Sequence, residues 1–344
     1  MKNSKRKPCY GLKVMFDLVY LHCGRNAVFI KDHPDFVLRN EDGTTCVGAE
    51  WPFARLNFKN KELREYLYSN METLISEYKA DGFRCDVGDQ IPLDFWEETF
   101  TKLKKKYPNI ITLNEGCNND YIVNTFDMCY DFGWYTLMTE IFARDESASE
   151  IKKTYESKLE YFGENINKLI KTIDTHDSVN DCETNRKEIL MTSRGVEATL
   201  VVTDTIGGTP FLWNGYEVCD NAEISLFANR FHGKGNWINW SRGFTEDGIR
   251  RINFIRKIHG IYKNNEALYA GDVEWIDNCS PDEIVSYVKK TDNQKLFIAV
   301  NTKNKPMKAK INIDNSFKNI LMESGVKMGE HTEFEPYGYF IAQI

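Results

Sequence analysis

No apolar run in the 344-residue sequence approaches the roughly 20 residues needed to cross a bilayer. No apolar stretch follows the charged N-terminus in the manner of a signal peptide. Basic charge is scarce as well: 44 Lys and Arg against 51 Asp and Glu leave a net charge of −7 and a pI near 5.6. That balance argues against a nucleic acid or an anionic membrane as partner, since either needs a basic patch. The one basic cluster, residues 2–7, reads as a solvated tail. The nine cysteines are Cys9, Cys23, Cys46, Cys85, Cys117, Cys129, Cys182, Cys219 and Cys279, odd in number and without a C-x-x-C pair. A disulfide framework or a cysteine zinc site is therefore disfavoured, and reduced thiols in a cytoplasmic protein fit better. Internal repeats and low-complexity segments are also lacking.

What is present is ordinary for a soluble globular chain, with 42% hydrophobic and 28% charged residues. The length suffices for one large domain and a smaller one. Residues 11–20 read as a buried strand of the parallel-sheet kind. Residues 61–79 carry an apolar helical stripe, a strand ends at 84–86, and 93–107 is helical up to Pro108. Further strands are expected at 109–113, 126–130, 169–174 and 209–213, with helices over 186–205 and 246–262. This alternation is that of βα units around a parallel sheet. The charged, Gly- and Pro-containing segment 21–60 is too long for a plain connection and suggests an inserted subdomain or substrate-covering loop. From about residue 266 the texture turns to short strands at 273–275, 284–289, 296–300, 308–313 and 333–341. The expected organisation is a catalytic barrel domain over 1–265 and an all-β domain over 266–344.

The chemically capable side chains fall just past the strands, where βα barrels place their active sites. Asp17 and His22 close the first strand in FDLVYLH, and Arg84 and Asp86 close the next in DGFRCD. Glu115 follows in ITLNEG, and His176 and Asp177 in IDTHDS. One Asp after a strand is more often a helix cap than a catalyst. The set taken jointly points to a site. Retaining glycoside cleavage needs an ionised carboxylate and a protonated one about 5–5.5 Å apart. Arg84 lies two residues before Asp86, so on a strand both face one side and the guanidinium would keep Asp86 ionised. Glu115 follows apolar Ile110, Ile111 and Leu113, and partial burial would raise its pKa as an acid requires.

The segments DLVYLH, GFRCD, NEG and THDS resemble the four short conserved regions of the α-amylase family, glycoside hydrolase family 13, in order and spacing. GGTPFLWNGYE is similar to the family's eighth strand and its loop, and ARLNF to a motif of the long loop after strand three. The resemblance implies a (β/α)8 TIM-barrel domain followed by a C-terminal β-sandwich, with the barrel's first two βα units lacking here. It implies Asp86 as nucleophile, Glu115 as acid/base and Asp177 as transition-state stabiliser. Arg84, His22, His176 and Asp17 take the supporting, substrate-binding positions. No cofactor is implied, and the partner is an α-glucan or oligosaccharide substrate.

Two positions depart from the family pattern. Leu21 stands where many members have a calcium-binding Asn, and a leucine has no oxygen to offer, so that metal site is expected to be absent. Asp89 and Gln90 stand where many starch-degrading members have a Lys-His pair, which leaves short maltooligosaccharides or another α-glucoside open as substrates. A transglycosylase or isomerase of the same family would use the same carboxylates, and a truncated carbohydrate-binding homologue without activity is the third reading. Among the aromatics, Trp51, Phe53, Phe95, Trp96, Trp134, Tyr135, Trp213 and Tyr216 suit sugar C–H faces, with Trp51, Trp134 and Trp213 best placed as platforms.

Overall fold

The computed structural model describes residues 11–48, 52–179, 186–222, 237–314 and 316–344. Trp51, Cys9, Cys182 and the basic cluster at 2–7 lie outside the described residues. The chain divides into two compact units, Met1–Tyr130 and Asp131–Ile344.

In the first unit, parallel strands Met15–Leu18, Gly82–Cys85, Ile111–Asn114 and Met128–Tyr130 lie side by side in that order. Helix Lys61–Ser76 begins at Asn60, whose side chain accepts from the N–H groups of Glu62 and Leu63. Its buried residues Leu63, Leu67, Met71 and Ile75 recur every four positions, which is the apolar stripe seen in the sequence. Helix Leu93–Lys106 buries Phe95, Trp96, Thr99, Phe100 and Leu103 and ends on three lysines that suit the negative pole of its dipole. Trp96 stacks on Phe100 with ring centroids 5.3 Å apart, in a core that includes Phe83 and Cys85. Leu21 belongs to the same core. Segment 21–60 folds back on itself: His22–Cys23 pairs antiparallel with Ala54–Arg55, and Phe36 and Val37 are buried beneath.

In the second unit, strand Leu169–Lys171 pairs parallel with Thr209–Pro210. Two helices that the sequence did not announce precede them, Trp134–Ala143 and Ser149–Phe162. The first buries Trp134, Met138, Thr139, Ile141 and Phe142, so it lacks the wide polar face that marks an amphipathic helix. The single helix expected over 186–205 is two, Lys187–Leu190 and Thr192–Thr205, divided where Thr192 adopts φ +64°.

An antiparallel sheet occupies the C-terminal part, in the order Met307–Ala309, Thr332–Gln343, Lys295–Asn301, Ile284–Lys290, Asp272–Trp275. Strand Asn319–Lys327 also pairs with Thr332–Gln343. It was not expected, because Glu323, Ser324 and Gly325 interrupt its apolar pattern and two register shifts bend it. Strands Ile284–Lys290 and Lys295–Asn301 are buried along almost their whole length. One face packs on Phe334 and Phe340, and Tyr287 on the other meets the Thr205 hydroxyl at 2.7 Å.

Candidate active site

Register and pleat place the site in the first unit. Asp17 pairs with Arg84, and Leu18, Cys85 and Asn114 fall in the next row. The ladder continues one residue further, with Asp86 N–H donating to the Leu18 carbonyl and Glu115 N–H to the Cys85 carbonyl, both at 3.0 Å. Side chains two apart on a strand share a face, so Asp17, Arg84, Asp86, Glu115 and Tyr130 gather on one side. Phe83 and Cys85 point to the other side, into the core.

Arg84 is the hub. One terminal nitrogen of its guanidinium lies 2.8 Å from Asp17 and 2.7 Å from Asp86, and the other lies 2.8 Å from Glu115. The planar fork lets one cation reach several carboxylates at once, which an ammonium cannot do. The Tyr130 ring stands 5.7 Å from the guanidinium carbon. Burial works to lower the Arg84 pKa, but Tyr130, Glu115 and Asp17 outweigh it and the group is held above its usual range. Exposure separates the two inner acids: the Asp86 side chain keeps 23% of its surface and Glu115 only 10%. Glu115 also accepts the Val87 N–H at 2.7 Å. Val87 sits in the left-handed region at φ +40°, a conformation that costs a β-branched residue about 1–3 kcal/mol.

His22 lies on the same unit, its ring stacked on Phe53 at 4.8 Å. Burial lowers its pKa below the usual imidazole range, with Asp86 opposing and Arg55 adding to the shift. A neutral imidazole at pH 7 both donates and accepts a hydrogen bond.

His176 and Asp177 belong to the second unit, where His176 Nε2 is 3.2 Å from the Asp177 carboxylate. Their loop is fixed from beneath by Asp174, which is fully buried and accepts from the Ser178 and Tyr216 hydroxyls. Burial raises the Asp174 pKa, against the pull of Lys187, Tyr216, Ser178 and Arg186. Trp213 stands 6.4 Å from the His176 ring.

Trp134 is not a sugar platform. It is buried, its Nε1 donates to Thr203 at 3.1 Å, and Lys171 Nζ lies 4.7 Å over its ring. Lys171 and Lys158 pair with buried Asp131, and the indole roofs that ion cluster. Phe95, Trp96 and Tyr216 are likewise core residues. Sequence reasoning passed over Tyr130 and the internal contacts of Asp89. Tyr130 carried a usable signal, its place at the end of a strand.

No family model matches the chain. It is 24% identical over 312 residues to Alpha-amylase 2 of Dictyoglomus thermophilum, a match covering 86% of this chain and 53% of that protein. Against an Alpha-1,4-glucan:maltose-1-phosphate maltosyltransferase of Picrophilus torridus the identity is 21%, over 82% of this chain and 44% of the other. Among solved structures, a maltogenic alpha-amylase of Thermotoga neapolitana superposes with a TM-score of 0.71 at 20% identity, covering 97% of this chain and 75% of that one. The chain spans about half the length of the curated relatives it matches. One of these relatives is an amylase and the other a glycosyl-transferring enzyme. The chain is thus similar in sequence to an α-amylase and a maltosyltransferase, and it shares with solved α-amylases a TIM-barrel type of fold followed by a β-rich C-terminal region.

Proposed function

We propose that the chain is a retaining glycoside hydrolase acting on α-glucosidic bonds of starch-like or maltooligosaccharide substrates. The observation that carries this reading is the single guanidinium of Arg84 shared by Asp17, Asp86 and Glu115 at consecutive strand ends. In this reading Asp86 is the nucleophile. Its carboxylate attacks the anomeric carbon while a protonated Glu115 delivers its proton to the departing oxygen. Water then opens the glycosyl–Asp86 ester and gives a proton back to Glu115. Arg84 pairs with Asp86 and Glu115 and orients both, and Asp17 holds Arg84 in place.

Asp177 is assigned to the hydroxyls next to the anomeric carbon, where its hold strengthens as the transition state forms. His22 and His176 are assigned hydrogen bonds to sugar hydroxyls, and Trp213 and Phe53 are the aromatic faces near them. The catalytic part is residues 1–265, with 266–344 as its β domain. Proton NMR of maltooligosaccharide cleavage in the first minutes tests the stereochemistry: the new reducing end is expected as the α-anomer. A β-anomer as first product would overturn the double displacement.

The maltosyltransferase relative supports a second reading, in which a sugar rather than water accepts the glycosyl group. Both readings use the same carboxylates. Added maltose that redirects product into longer chains at the expense of hydrolysis favours the transferase.

A further inference from the structure

Asp89 stands three residues after Asp86, in the short turn Gly88–Gln90, yet its carboxylate is directed to the loop that follows the next strand. One oxygen accepts from the Asn114 side-chain amide at 2.6 Å, and the other accepts from the N–H groups of Cys117 and Asn118 at 2.8 and 3.0 Å. Those three residues flank Glu115 on both sides. The two segments are tied at Glu115 itself as well, whose carbonyl accepts the Gly88 N–H at 3.1 Å.

The fit leaves no slack. A Cβ on Gly116 would lie 2.2 Å from the Asp89 carboxyl carbon, and one on Gly88 would lie 2.1 Å from Asn114 Oδ1. The turn is itself anchored, since Trp96 Nε1 donates to the Gly88 carbonyl at 3.1 Å and the Tyr121 hydroxyl reaches the Ile91 carbonyl at 2.9 Å.

We propose that Asp89 is a positioning residue for Glu115. It converts the loop 114–118 into a rigid mount, so that the Glu115 carboxyl meets the leaving-group oxygen at proton-transfer distance. The inference rests on the acid/base reading of Glu115. It assigns Asp89 to donors of the protein itself, the Asn114 side-chain amide and the backbone N–H groups of Cys117 and Asn118.

The chemistry suggests a probe. Fluoride leaves without a proton, whereas a sugar oxygen needs one, so a defect in acid delivery harms only the second kind of substrate. Asp89→Ala should lower kcat/KM on maltoheptaose about 100-fold and on α-maltosyl fluoride less than about threefold. Equal losses on both substrates in a folded variant would overturn the proposal. Glu115→Gln is the parallel control: if it shows no such contrast, the acid/base reading itself fails, and if it shows the contrast while Asp89→Ala does not, only the role of Asp89 fails. Hydrogen exchange provides a readout independent of turnover. In Asp89→Ala, which removes the acceptor, the amides of Cys117 and Asn118 should lose protection while strand Gly82–Cys85 keeps its own, and unchanged protection at 117 and 118 would overturn the proposal.

Discussion

At the scale of the residue, Arg84 gathers the carboxylates of the candidate site. Three carboxylates meet one guanidinium whose side chain is 10% exposed, so its charge is screened little by water. Arg84→Lys puts a single point charge where a fork stood. It should lower kcat by about 100-fold or more through displaced carboxylates. A folded variant that keeps the parent's kcat would contradict the account. The residues around Arg84 were readable because strand-end position and period-2 alternation are both written in the sequence: Asp17, Arg84, Asp86 and Glu115 needed nothing else. Tyr130 and the bonds of Asp89 were not readable, because they depend on which strand neighbours which. Trp134 misled for a related reason. A tryptophan just after a strand suits a platform and a core equally, and burial alone decides between them.

At the scale of the element, the amphipathic helices Lys61–Ser76 and Leu93–Lys106 were legible from their stripes, caps and the Pro108 stop. Helix Trp134–Ala143 and strand Asn319–Lys327 were not, the one being apolar on most sides and the other interrupted by a glycine and bulges. Strand Ile284–Lys290 carries an oddity that sequence reading passes over, a buried lysine at its end. Lys289 Nζ donates to the Gly271 carbonyl at 2.5 Å and the Ile206 carbonyl at 3.3 Å, just beyond the ends of helices Glu266–Ala270 and Thr192–Thr205. Burial pulls its pKa down to about 7, with Asp272 opposing and Lys171 adding to the fall. An unfolded lysine holds its proton to about pH 10.4. Between those two values the unfolded chain binds more protons, so the lysine's contribution to folding stability grows as pH rises. Urea unfolding at about pH 7 and about pH 10 should show the parent gaining stability relative to Lys289→Met over this window. A constant difference between the two proteins would contradict it.

At the scale of the whole molecule, the acidic composition argues against a basic patch for nucleic acid or an anionic membrane. No helix among the described residues is long and apolar enough to cross a membrane. The βα alternation and the change of texture near residue 266 announced a parallel-strand part and a β-rich part, and both are present. Where the chain divides into compact units was not legible, since the division at Tyr130 and Asp131 rests on contacts between distant segments and not on any linker composition. The central claim, that Asp86 serves as nucleophile of an α-glucan hydrolase, is tested most directly by sugar release from maltoheptaose by the purified chain and by its Asp86→Asn variant. Release by the parent and a loss of about 1,000-fold or more in a folded variant is the expected result. No release from a cooperatively folding parent, or equal release by the variant, would contradict it.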